Sequence, residues 1–71
     1  MNDSAPSSVS LVPASLVDRV RGEYIEMPGL RLTLAQAQRL FGLDPVACAL
    51  VLEALTRERF LCRGGDGRFA Q

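Results

Sequence analysis

The residues of this chain able to do chemistry are two cysteines, eight carboxylates, eight arginines and one glycine-rich run. Histidine is absent, so no Ser–His or Cys–His pair is available to activate a nucleophile. Cys48 and Cys62 match no zinc-ligand spacing. They read as two buried thiols in a reducing cytoplasm, with a disulfide as the alternative. Gly64-Gly65-Asp66-Gly67 is too short for a phosphate-binding loop, has no lysine after it and opens no helix. Glu23 and Glu26 fall on a helix surface, and Asp44 is engaged as a helix cap. With 71 residues, a pocket of the usual enzymatic depth is not expected either. The reading is therefore a binding module rather than an enzyme, with no metal, no cofactor and no small-molecule substrate.

All eight basic residues are arginine, and eight acidic residues cancel them, for a pI near 6.1. A dedicated nucleic-acid binder usually has a basic excess. Local clustering matters more than the sum, however. Arg57, Arg59, Arg63 and Arg68 all lie in the last fifteen residues. Arg31 and Arg39 are the other candidates for contact with a phosphate backbone. The alternative for these arginines is a solvated edge paired with Glu58 and Asp66.

The elements that must position these residues follow from local signals. Residues 1–12 are rich in serine and lack helical period, and they read as a disordered tail. The remainder, 13–71, reads as one domain. No secretory signal or membrane-length apolar run is visible, so a soluble cytoplasmic protein is expected. A first helix is predicted from Ser15, with Ser15 as N-cap and Asp18 completing a capping-box-like pair. Val17, Val20, Tyr24 and Met27 form its apolar stripe, and Pro28-Gly29 end it. Leu30-Arg31-Leu32 alternates as a short strand does.

Thr33-Leu34-Ala35-Gln36 is a capping box that starts a second helix, with Leu34, Ala37, Leu40 and Phe41 inward. Gly42 suits a left-handed helix end, with Leu43 packing back over it. Asp44 and Pro45 then start a third helix, whose Cys48, Val51, Leu52 and Leu55 repeat at core spacing. It is predicted to run to about Glu58 or Arg59. Phe60–Arg63 and Arg68–Ala70 read as the strands of a hairpin around the glycine run, with Leu30–Leu32 able to join as a third strand. The fold class is α+β, mainly α, in the order α-β-α-α-β-β.

From Leu32 to Ala70 this pattern resembles the winged helix-turn-helix domains of bacterial transcription regulators of the MarR and IclR types. The matching features are the Thr-capped short helix, the Phe41-Gly42-Leu43-Asp44 turn, the apolar pattern of the third helix, and Phe60-Leu61 ahead of a wing closed by Asp66-Gly67-Arg68. The resemblance implies a transcription regulator that binds double-stranded DNA, with the third helix in the major groove and the hairpin as wing. It also implies a glycine where Arg59 stands, because the chain turns there with positive φ.

One part of the sequence opposes that implication. The outward positions on the third helix are Pro45, Val46, Ala47, Ala49, Leu50 and Glu53, a set with no hydrogen-bond donor for base edges. DNA contact would then rest on Arg39, Arg57, Arg63 and Arg68, with weak sequence specificity. The rival reading uses Val46, Ala49, Leu50 and Glu53 as a protein interface, for a partner protein or a homodimer. A third is that these aliphatic side chains are simply exposed.

Overall fold

Pro13 sets the start of the first helix among the described residues. In the computed structural model, which describes residues 13–71, α1 spans Ala14–Glu26. The tail assigned to residues 1–12 lies outside the described residues. Pro13 is the N-cap, extended at φ −63° and ψ 144°, and its carbonyl accepts from Leu16 and Val17 N–H. The expected Ser15 cap is therefore corrected: the fixed φ of proline starts the helix earlier, and Ser15 already lies inside the first turn. Val20 and Tyr24 are buried and Val17 partly so. Met27 leaves the stripe, because as C-cap it adopts φ −127° and turns its side chain to solvent.

The next two helices follow their capping signals. α2 spans Leu34–Phe41, and both hydrogen bonds of the Thr33–Gln36 box are present. Gly42 ends it at φ 67°, and Leu43 N–H reaches back to Gln38 O. Ala37 and Phe41 are buried, but Leu40 is 50% exposed, against expectation. An eight-residue helix offers only a narrow inner face, and Leu40 sits about 100° around the axis from Phe41. α3 spans Pro45–Arg57, with the Asp44 carboxylate accepting from Ala47 N–H at 2.8 Å. Cys48, Val51, Leu52 and Leu55 are all fully buried.

Three short strands close the fold. β1 is Arg31–Leu32, β2 is Cys62–Arg63 and β3 is Phe69–Ala70, in an antiparallel sheet ordered β1-β3-β2. Leu32 and Arg63 both pair opposite Phe69. Each strand is shorter than its sequence pattern suggested. Phe60 and Leu61 lie instead in the turn that follows α3, both donating their N–H to Leu55 O. The result is a small, mainly helical α+β fold whose core joins Val20 and Tyr24 of α1, Phe41 of α2, the inner face of α3, and Leu32, Leu61 and Phe69. The Tyr24 hydroxyl donates to Phe69 O at 3.0 Å, tying α1 to the sheet. No helix among the described residues is long and apolar enough to cross a membrane.

The two cysteines part company. Cys48 is buried, its thiol donating weakly to Leu34 O at 3.9 Å. Burial, with the Asp44 carboxylate adding to it, raises the thiol's pKa. Cys62 is exposed and unbridged, so the expectation of two buried thiols fails for it. Side chains alternate along extended chain, and Leu61 takes the inward position, leaving Cys62 outside.

Candidate functional site

The outer face of α3 changes character along its length. Val46 near its start is 66% exposed, the most open of the large apolar side chains described. Ala49 and Leu50, one turn on, are only partly exposed. Leu50 thus departs from the expectation of an outward side chain, while also standing apart from the residues packed on the core. Glu53 follows on the same face and is exposed, and Thr56 and Arg57 lie one turn further along it. No side chain from Val46 to Glu53 offers a strong hydrogen-bond donor.

The C-terminal half of this face forms one wall of an open groove of about 360 Å³. Glu53, Thr56 and Arg57 line it from α3, Arg63 from β2 and Phe69 from β3. Strand pairing places Arg63 beside Phe69, and its guanidinium carbon lies 5.6 Å from the ring centroid. That cation–π contact covers the ring and orients the charge toward the groove. Arg57 approaches Glu53 only to 4.0 Å, beyond hydrogen-bond range. The Thr56 hydroxyl spends its one proton on Leu52 O at 2.8 Å. The donors left for a ligand are the guanidinium groups of Arg57 and Arg63.

The hairpin loop is organised by Asp66. Its carboxylate accepts from Arg68 N–H at 3.1 Å and lies 3.7 Å from Arg68 Nε and 3.4 Å from Arg31 Nη2. Gly64 makes room for it, since a Cβ there would meet Asp66 Oδ1 at 2.9 Å. Gly67 N–H closes the turn onto Gly64 O, and of the glycines in the loop Gly67 alone takes positive φ. Arg31 and Arg68 are thus partly neutralised by one carboxylate, whereas Arg39 and Arg63 have no ion pair among the described residues.

Of the arginines nominated from sequence, the fold brings Arg57 and Arg63 to one groove, ties Arg68 to Asp66, and leaves Arg39 apart on α2. Glu58, expected to pair with the C-terminal arginines, instead meets Arg21 of α1 at 2.7 Å. That bond raises the Arg21 pKa further, and the same guanidinium lies over the Phe60 ring. Sequence reasoning missed Thr56 and Phe69 as groove residues and assigned Glu53 to a different surface. The i, i+3, i+4 spacing of Glu53, Thr56 and Arg57 was the available signal. No group of three or more His, Cys, Asp or Glu among the described residues is arranged to hold a metal ion. No protein-family model, curated protein or solved structure matches the chain.

Proposed function

We propose that the chain is a winged helix that binds duplex DNA through its phosphate backbone, with weak intrinsic sequence specificity, as a component of transcription control. The observation that carries this reading is the groove between α3 and the β2–β3 hairpin, where Arg57 and Arg63 present guanidinium groups with no hydrogen-bonded acceptor. The element order and the β1-β3-β2 sheet support it, being the arrangement that the winged-helix resemblance implies. In such a domain the groove would lie beside the duplex and the hairpin would be the wing. Backbone contacts position a protein without reading bases, in keeping with the lack of strong donors from Val46 to Glu53 on the outer face of α3.

The test is duplex binding by fluorescence anisotropy on several unrelated sequences. Affinity should fall steeply between about 50 and 200 mM salt. Arg63→Ala should weaken binding on every sequence alike. Arg68→Ala should weaken it less, because Asp66 already holds that guanidinium. Absence of binding at the lowest salt overturns the reading, as does binding indifferent to Arg57→Ala and Arg63→Ala.

A second reading, a protein interface or homodimer at the start of α3, rests on the exposure of Val46 beside Ala49 and Leu50. It expects assembly in sedimentation that Val46→Arg abolishes with the fold intact. A monomer at high concentration removes the homodimer from it.

A further inference from the structure

We infer that Glu53 is an internal competitor for the groove's ligand: it occupies Arg57 electrostatically, and a DNA phosphodiester displaces it to be held between Arg57 and Arg63. This rests on the duplex-binding reading above and adds an affinity-setting residue to it. Three observations carry it. Glu53 shares the groove with both arginines, so its charge opposes any anion that enters. Its distance of 4.0 Å from Arg57 leaves that guanidinium's N–H donors without a hydrogen-bonded acceptor. Both side chains are largely solvated, at 65% and 78% exposure, so separating them breaks little.

The groove's chemistry suits a singly charged oxyanion such as a phosphodiester. Its formal charge is +1, from Arg57 and Arg63 against Glu53. Arg63 is steadied by the Phe69 ring and keeps its forked donors free for two oxygens of one anion. The Thr56 hydroxyl, committed to Leu52 O, adds no donor. An anion that draws Arg57 from Glu53 therefore gains two guanidinium partners, while Glu53 moves into water. With Glu53 in place, Arg57 enters only part of the time, and duplex affinity is held below what two free arginines would give.

Duplex binding by Glu53→Gln, Arg57→Ala and the double variant tests this, with Glu26→Gln as a charge-matched control at an exposed position of α1. Glu53→Gln should tighten binding by roughly 2–5-fold and steepen the log–log salt slope by less than the about 0.9 of a whole phosphate contact, since Arg57 already enters part of the time. Glu26→Gln should do distinctly less. In the Arg57→Ala background the gain from Glu53→Gln should shrink, leaving only the relief of its charge on the groove. If Glu53→Gln tightens binding equally with and without Arg57, or no more than Glu26→Gln does, only net charge is at work and the inference is overturned. The same holds if wild type binds in a salt-dependent way and Glu53→Gln changes nothing, with the duplex-binding reading left standing. Failure of both wild type and Glu53→Gln to bind any duplex removes that reading, and the inference with it.

Discussion

Among the described residues the chain leaves a helix through a left-handed residue twice, and the two corners differ in whether the turn residue itself favours the turn. At the α2–α3 corner the residue is Gly42, at φ 67°. At the α3–β2 corner it is Arg59, at φ 66°. The hydrogen bonding is closely similar: Leu43 N–H reaches Gln38 O, and Phe60 N–H reaches Leu55 O, each closing the wide loop of a Schellman-type end. The first corner is specified by adjacent residues, with Gly42 for the turn, then Asp44 and Pro45 to open α3. The second has no favourable local residue and is braced from outside. Arg21 of α1 bonds Glu58 at 2.7 Å and stacks on Phe60, while Tyr24 meets the same ring edge-on at 6.5 Å. α1 touches both corners, since Arg19 also donates to Phe41 O at 3.2 Å; the first has its turn residue built in, whereas the second has none and draws its support from α1.

The sharpest way to break this contrast is at Gly42. A Cβ there would meet nothing within 4 Å, so Gly42→Ala tests backbone conformation alone. A left-handed non-glycine residue costs about 1–2 kcal/mol. Alanine also narrows the unfolded ensemble, which offsets roughly 0.4–1 kcal/mol, so chemical denaturation should show a net loss of about 1 kcal/mol with an unchanged slope against denaturant. If Gly42→Ala is neutral, the first corner is also held by its surroundings and the contrast dissolves.

Comparable in size is the bracing itself. Tyr24→Phe keeps the ring edge against Phe60 but removes the hydroxyl's bond to Phe69 O, for an expected loss of about 1 kcal/mol near neutral pH. Burial, with Cys48 adding to it, pushes the Tyr24 hydroxyl's pKa up to about 12 from an ordinary 10.0. The native state therefore keeps a proton that the unfolded chain has lost. Stability from this group is complete below about pH 10 and lost as pH rises from about 10 to about 12. The stability difference between wild type and Tyr24→Phe should shrink across that window. A difference that is constant with pH would show that the hydroxyl titrates alike in both states.

This contrast also explains what could be read from the chain. The capping box of Thr33 and Gln36, the left-handed Gly42, the Asp44 cap and the inner stripe of α3 all act within a few residues, and all stand as expected. The ion-pair partners and the groove depart where distant parts decide, while the Ser15 cap was displaced locally, by Pro13 two residues earlier. Arg21 meets Glu58 across 37 positions and Arg31 meets Asp66 across 35, so no spacing rule announces either pair. Arg57 and Arg63 were legible as candidates from type and position. Their shared groove with Glu53 and Phe69 was not, because strand pairing creates it. Met27, Leu40 and Cys62 fit an apolar inventory, yet the end of α1, the shortness of α2 and the alternation before β2 turn them outward.

The smallest expected effect has the opposite sign and bears most directly on the comparison. Arg59→Gly relieves a left-handed arginine worth about 1–2 kcal/mol of strain. Glycine also widens the unfolded ensemble, which offsets roughly 0.4–1 kcal/mol of that gain. Arg59 is exposed and has no ion pair among the described residues, so little else changes with its side chain. The net result should be a stabilisation of about 0.5–1 kcal/mol, read as a higher denaturation midpoint. Combining it with Arg21→Ala refines the point. If α1 holds the second corner against its own strain, glycine at position 59 should reduce the damage done by Arg21→Ala, and the two effects should not add. Strict additivity would mean that the corner and its brace act independently, and that the left-handed turn at Arg59 stands without help from α1.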